Sequence, residues 1–239
     1  MVKVRAAAID VDGTLTVARG DTKLDCCGIT AVRVLESRGI KVSLISGNSL
    51  PVVAGLSVYL GASGPALGEN GCVAFYRGEV IHVCNGRPDE GLVEELKSLG
   101  FVESWQNRFR FHEVALVPED PSKRRDRSFI ESAIRLVESW GFKAVWSGYA
   151  LHVQPPGGGK DAGLRAAARI LGLDPGDFLA IGDGENDVPM LKIAGVSGAP
   201  GDASREAKEA AGIVANLPGA KGAMEIISKV LGIRWDGRC

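Results

Sequence analysis

The chain has 239 residues, 45% of them hydrophobic, and its 28 basic residues nearly balance 29 acidic ones, for a formal net charge of −1. That length accommodates one large domain, or a domain carrying a smaller insert, and the apolar content excludes a disordered chain. The balanced charge gives no reason to expect nucleic acid or an anionic membrane as partner, and no apolar run exceeds strand length, so no segment is expected to span a bilayer.

Met1-Val2-Lys3-Val4-Arg5 leads straight into a strand pattern with no secretory signal, which predicts a cytoplasmic protein. Val4 to Ile9 is an apolar run suited to a strand buried on both faces. Ile29 to Arg38 has helical periodicity, with Ala31, Val34 and Leu35 on one face and Gly39 as its stop. Val42 to Ile45 is the next strand and ends at Ser46-Gly47-Asn48. Strand, helix and strand at this spacing make a βαβ unit and hence a parallel sheet.

The middle of the chain, from about Val83 to Pro155, follows a different grammar. Two amphipathic helices are predicted, Leu92 to Leu99 and Phe129 to Trp140, among strand-like stretches at His112–Val117, Ala144–Trp146 and Leu151–Gln154. Asn85-Gly86-Arg87-Pro88 and Pro155-Pro156-Gly157-Gly158-Gly159 punctuate its two ends. An α+β domain, residues 83–155, is therefore expected inside an α/β core formed by residues 1–82 and 156–239. Lys123-Arg124-Arg125-Asp126-Arg127 reads as a solvated loop leading into a helix. Arg108 and Arg110 alternate with Phe109 and Phe111, and two readings stay open: they face a cleft and meet a substrate carboxylate, or they are the exposed side of a strand.

After the insert the first pattern returns. Asp161 can cap a helix whose Leu164, Ala167, Ala168 and Leu171 share a face, and Gly172 ends it. Phe178 to Ile181 is a strand followed at once by Gly182-Asp183-Gly184-Glu185-Asn186-Asp187. Val196–Ala199, a helix around Ser204–Ala210, Ile213–Ala215 and a last helix from about Lys221 continue the alternation. Five cysteines are present, an odd number without a CxxC pair, and reduced thiols are expected. His82, His112 and His152 stand singly in strand-like stretches, where a packed or surface histidine is the expectation and zinc is not. Only two Gln and six Asn occur, a scarcity of labile amides found in heat-adapted proteins.

Four short segments follow apolar strands or open a helix, and ligand sites of parallel sheets lie at the carboxyl ends of strands, so they can converge. In Asp10-Val11-Asp12-Gly13-Thr14, two carboxylates two residues apart repel each other unless a cation lies between them, and Gly13 permits a sharp turn. Ser46 offers a hydroxyl to a phosphate oxygen. Lys160 offers a point charge to a phosphoryl group. Its glycine run is no P-loop, because Asp161 stands where Ser or Thr is needed and Gln154 takes the place of the first glycine. Asp183 to Asp187 gathers hard oxygen donors of the kind magnesium takes, and within that turn Asn186 is better suited than Glu185 to reach an ion or its water.

These segments, in this order and spacing, resemble the four motifs of the haloacid dehalogenase-like phosphatases, over the whole chain. The insert resembles the type II α/β cap of that superfamily, and Ser46-Gly47-Asn48 together with the small size is most similar to its archaeal phosphoglycolate phosphatase branch. Two departures bear on substrate: Ser46-Gly47-Asn48 stands where many relatives have Thr-Gly-Arg, and Lys160-Asp161 where many have Lys-Gly. The resemblance implies a Rossmann-like core and a phosphomonoester hydrolase. In it Asp10 attacks phosphorus, Asp12 serves as acid and then base, and Ser46 and Lys160 hold phosphoryl oxygens. Mg2+ would be held by Asp10, the Asp12 carbonyl, Asp183 and Asp187. Aspartate at position 12 goes with phosphatases and mutases rather than ion-pumping ATPases. The implied substrate is a small phosphorylated metabolite, 2-phosphoglycolate first. A sugar phosphate, a phosphomutase reaction and a non-catalytic phospho-ligand binder are the alternatives, and monomer and homodimer stay open.

Overall fold

The computed structural model describes residues 4–239, so Met1 to Lys3 of the N-terminal reading lie outside the described residues. Strand β1 (Ala6–Ile9) leads through a long turn into α1 (Cys26–Ser37), then β2 (Lys41–Leu44) and α2 (Leu50–Leu60). Three short strands follow, β3 (Ala66–Gly68), β4 (Val73–Tyr76) and β5 (Glu79–His82), forming an antiparallel sheet of their own. The insert contains α3 (Glu90–Ser98), β6 (Phe101–Glu103), β7 (Val114–Pro118), α4 (Arg127–Ser139), β8 (Lys143–Trp146) and β9 (Leu151–Gln154). The return to the core gives α5 (Lys160–Leu171), β10 (Phe178–Ile181), α6 (Val188–Ile193), β11 (Val196–Ala199), α7 (Arg205–Ala210), β12 (Ile213–Val214) and α8 (Gly219–Leu231).

The main sheet has the order β12-β11-β10-β1-β2 and is parallel throughout. Strand β1, between β10 and β2, is AAAI, and all four residues are buried. Ala7 and Ile9 face one core with α1, α2 and α8, where Leu35, Leu44, Leu179 and Ile226 meet. Ala6 and Ala8 face the other, with Leu164 and Ala167 of α5 and Met190 of α6. Two-sided burial explains why these strands read as unbroken apolar runs. The small alanines of β1 let helices approach the sheet closely on both sides.

The insert has a separate apolar core. Leu92 and Leu96 of α3 and Ile130, Ala133 and Val137 of α4 pack on Val114, Leu116, Leu151 and Val153 of an antiparallel sheet ordered β6-β7-β9-β8. Because strand side chains alternate, the opposite face of that sheet carries Ala115, His152 and Gln154, and it is this face that turns toward the parallel sheet.

Two expectations are corrected. The cysteines are not all reduced: Cys72 pairs with Cys84 and Cys27 with Cys239, leaving Cys26 free and exposed. Their Cα atoms lie 4.8 and 5.0 Å apart, within disulfide reach. The partners are far apart or oddly spaced in sequence, so their number and spacing did not reveal the pairs. Proteins adapted to heat are the exception to thiol reduction inside cells. Closing 212 residues of chain, the Cys27–Cys239 bond contributes about 5 kcal/mol on a chain-entropy account. Thiol titration of the denatured protein is expected to find one reactive thiol without reductant and five with it; five in both would refute the pairings. The second correction concerns α5, which starts at Lys160 with Gly159 as N-cap, so Asp161 sits in its first turn without capping it.

Candidate active site

The two sheet neighbours of β1 continue in opposite directions, so the carboxyl end of β1 is where the strand order reverses and a crevice opens. Asp10 is the next residue, its N–H donated to the Ile181 carbonyl of β10. Ser46 follows β2 and donates its N–H to Leu67. Asp183 and Asp187 lie in the loop after β10, and Lys160 comes from the first turn of α5. The four segments therefore meet.

Lys160, completely buried, extends its Nζ to Asp10 Oδ1 at 2.5 Å and Asp187 Oδ1 at 2.6 Å. Asp10, Asp183 and Asp187 each bring a carboxylate oxygen within 4.8 Å of the others, all three buried. Lys160 and the partly exposed Arg19, 3.4 Å from Asp183, leave three buried carboxylates short of one positive charge. Desolvation, followed by the charge of Asp187, pushes the Asp183 carboxyl up to about 7. Asp10 is likewise raised well above the carboxylate range, first by burial, with Lys160 opposing the shift. This set of hard oxygens short of positive charge fits a divalent cation such as Mg2+. Asp187 also organises the loop, since its Oδ2 accepts the N–H groups of Asp183 and Gly184 at 3.0 and 2.8 Å.

Gly13 makes this packing possible. Its φ is +88°, and a Cβ there would lie 2.5 Å from Asp183 Cγ and 2.7 Å from Oδ1. Its N–H donates to Thr16 Oγ1 at 2.7 Å. Gly13→Ala is expected to lower kcat by at least about 100-fold, the scale of an ångström-sized displacement in such a site, while the protein stays folded by circular dichroism.

Asp12 points out of the core into the cleft. Asn48 Nδ2 donates to Asp12 Oδ2 at 2.7 Å and to Ser46 Oγ at 3.0 Å. The Asn48 N–H also reaches Ser46 Oγ, at 3.1 Å. With its oxygen accepting these bonds, Ser46 has its O–H available to donate. Desolvation in the cleft raises the Asp12 carboxyl, and the Asn48 bond opposes that.

The insert roofs this arrangement through contacts that sequence reasoning missed. Gln106, in a 3-10 turn at Trp105–Phe109 where a strand was one reading, donates to Asn48 Oδ1 at 2.8 Å and accepts the Ser49 N–H at 2.7 Å. Arg110 is buried, binding Glu113 Oε1 at 2.5 Å and the Gly47 carbonyl at 2.7 Å, whereas Arg108 is exposed. Glu113, fully buried, also holds His152 Nδ1 at 2.7 Å, Gln154 Nε2 at 2.9 Å and Asn70 Nδ2 at 2.8 Å. From the core side, the Glu69 carboxylate accepts the N–H groups of Phe111, His112 and Glu113 at 2.8–2.9 Å. Asn186 donates to Asn70 Oδ1 at 3.1 Å rather than turning to the acidic cluster, and Glu185 pairs with Arg19 at 3.0 Å. Arg19 also lies 3.4 Å from Asp183. A cavity of about 480 Å3 opens beside this roof, lined by Asn70, Trp146, Gln154, Lys160 and Asn186. The Lys123–Arg127 run forms a turn that leads into α4, whose first residue is Arg127, with Arg124 stacked 4.2 Å over Tyr149.

Comparison with known proteins agrees with this geometry. The family model described as haloacid dehalogenase-like hydrolase matches residues 7–99 and 115–227. A phosphoglycolate phosphatase of Aeropyrum pernix is 52% identical over 229 residues, covering 96% of this chain and 94% of its own. A phosphoglycolate phosphatase of Metallosphaera sedula is 37% identical, over 95% of this chain and 99% of its own. The crystal structure of Thermoplasma acidophilum 0175 superposes with a TM-score of 0.84 at 29% identity, covering 97% of this chain and all of that one.

Proposed function

The chain belongs to the haloacid dehalogenase-like hydrolase family, and on that footing we propose that it dephosphorylates 2-phosphoglycolate with the help of Mg2+ through a phosphorylated Asp10. It is a phosphatase of that family; the finer reading concerns substrate, metal and route. The observation that carries it is the buried Asp10–Lys160–Asp187 ion pairing with Asp12 held beside it by Asn48. A nucleophile, a cationic phosphate anchor and an acid–base carboxylate stand together at one strand end. We take residues 83–155 as the cap and residues 1–82 and 156–239 as the catalytic core.

A carboxylate oxygen of Asp10 forms a bond to phosphorus as the ester P–O bond breaks, and the departing oxygen takes a proton from Asp12. Asp12, now ionised, accepts a proton from the water that attacks the phosphorylated Asp10, releasing phosphate and restoring both carboxyls. The Ser46 O–H and the Lys160 ammonium hold the non-bridging phosphoryl oxygens as charge shifts between attacking and leaving atoms. Asp10, Asp183 and Asp187, with the main-chain carbonyl of Asp12, would hold Mg2+, whose charge would offset negative charge between nucleophile and phosphate.

The names of the two relatives support 2-phosphoglycolate as substrate. A hydrolysis panel of phosphoglycolate, hexose phosphates and nucleotides, run with Mg2+ and with chelator, tests the reading. The expected result is hydrolysis lost with chelator and highest kcat/KM for phosphoglycolate. Preference for a hexose phosphate would overturn the substrate, and full turnover in chelator would overturn the metal.

A further inference from the structure

The long turn between β1 and α1 folds back on itself. Thr16 bridges Leu24 in antiparallel register, and the Val17 N–H donates to the Lys23 carbonyl at 3.0 Å, so residues 16–24 form a hairpin. At its tip the Asp21 N–H donates to the Ala18 carbonyl at 3.1 Å, across Arg19 and Gly20, and Gly20 supplies a φ of +82°. Two sets of contacts fix Arg19 there. Its main-chain N–H donates to Asp202 Oδ2 at 2.8 Å, while Asp202 Oδ1 accepts the Gly219 N–H at 2.8 Å. Its guanidinium lies against the loop after β10. Nη2 is 3.0 and 3.3 Å from the two carboxylate oxygens of Glu185, and Nε is 3.4 Å from Asp183 Oδ2.

Arg19 belongs to none of the four motif segments. Among the described residues, however, it and Lys160 are the only cations within 4 Å of the carboxylates of Asp10, Asp183 and Asp187. The two differ in freedom. Lys160 is buried between Asp10 and Asp187, whereas the Arg19 side chain is 31% exposed and can leave Asp183 for water or for Glu185. A mobile cation against a carboxylate that would hold a metal acts twice. Without a metal it offsets part of the negative charge and stabilises the fold. Toward an incoming divalent cation it is a like charge already seated on a shared ligand.

We propose that Arg19 is a positioning residue acting through Asp183: an internal counter-ion that competes with the divalent cation for that carboxylate and so sets how much Mg2+ the enzyme requires. The proposal rests on the metal reading above. In the metal-free protein Arg19 is shared between Asp183 and Glu185. With the metal bound, Glu185 alone retains it, which gives that residue a part in the site without making it a ligand. The Asp202 contact is to main chain, so the hairpin stays docked in both states.

For the same reason Arg19→Gln deletes the charge and spares the anchor. Mg2+ is titrated by calorimetry into metal-free wild type, Arg19→Gln and Arg19→Lys, and melting temperatures are recorded without and with saturating Mg2+. Arg19→Gln is expected to lower the Mg2+ Kd by about 3- to 10-fold, the scale of one partly buried ion pair given up on binding, with Arg19→Lys close to wild type. Its melting temperature is expected to fall below that of wild type in metal-free buffer and to approach it in Mg2+, since tighter binding adds stability only where the metal is present. A residue that merely braces the hairpin would cost the same number of degrees in both buffers and leave Kd unchanged, and that result overturns the proposal. Weaker Mg2+ binding by Arg19→Gln overturns it as well, by making Arg19 a support for the site rather than a competitor. A wild type that takes up no Mg2+ would overturn the metal reading, and the competition with it.

Discussion

Asp10→Asn is expected to abolish turnover, by about 10^5-fold or more, because an amide oxygen cannot replace a carboxylate as nucleophile and the remaining groups do not act without it. The same substitution is expected to raise the melting temperature in metal-free buffer. A carboxyl whose folded pKa lies above its unfolded value opposes folding once the pH exceeds the unfolded value, and burial raises Asp10 well above 3.8. Asp183 obeys the same sign: as pH rises from 3.8 toward about 7, the metal-free protein loses stability. Steady-state kinetics and calorimetry on one preparation check both halves. Full activity would refute the nucleophile, and a lower melting temperature would refute the charge imbalance.

Glu113→Ala is expected to destabilise the protein by about 3–5 kcal/mol, because it leaves Arg110 and His152 buried without their anion. An independent route gives a similar size. The Glu113 carboxyl is held at about 2 against an ordinary 4.5, and a shift of that extent corresponds to roughly 3 kcal/mol. Because the folded pKa is the lower one, this stabilisation is complete above the unfolded value of 4.5 and is lost as pH falls toward 2. Urea unfolding at pH 7 and pH 3 checks it. The gap between wild type and Glu113→Ala should be widest at pH 7 and narrow at pH 3, and an equal gap at both would refute the ionic account.

What was legible in the sequence follows from burial pattern. The strands of the parallel sheet are covered on both faces and leave continuous apolar runs, and the four motif segments sit directly after such runs or at a helix start. Asp10, Ser46, Lys160, Asp183 and Asp187 could therefore be picked out and brought together. Residues 50–82 gave no such signal. α2 is apolar nearly all round, with Val58 and Tyr59 exposed, so no face stands out, and β3 has three residues. The roof was unreadable for another reason. Gln106, Glu69, Glu113 and Asn70 work through contacts between residues dozens of positions apart, and none belongs to a motif. Glu69 and Asn70, with φ of 54° and 51°, are held in left-handed backbone, and the hydrogen bonds to cap residues 111–113 explain what holds them there. One signal was present: His152 and Gln154 alternate with Leu151 and Val153, the mark of a strand with one apolar and one polar face, and the polar face is the one over the cleft.

The bond between Cys27 and Cys239 gives the molecule a covalent topology its fold alone does not have. From α1 to the last residue the backbone is a closed ring, and the cap is a bulge on that ring rather than a detour along a thread. A protease that cuts either linker to the cap severs the chain yet releases nothing: the piece with Cys27 and the piece with Cys239 remain one molecule until the bond is reduced. Clustered charged groups on the two sides of the insert, Asp10 before it and Lys160 and Asp183 after it, thus stay tethered through a cut that would otherwise let them diffuse apart.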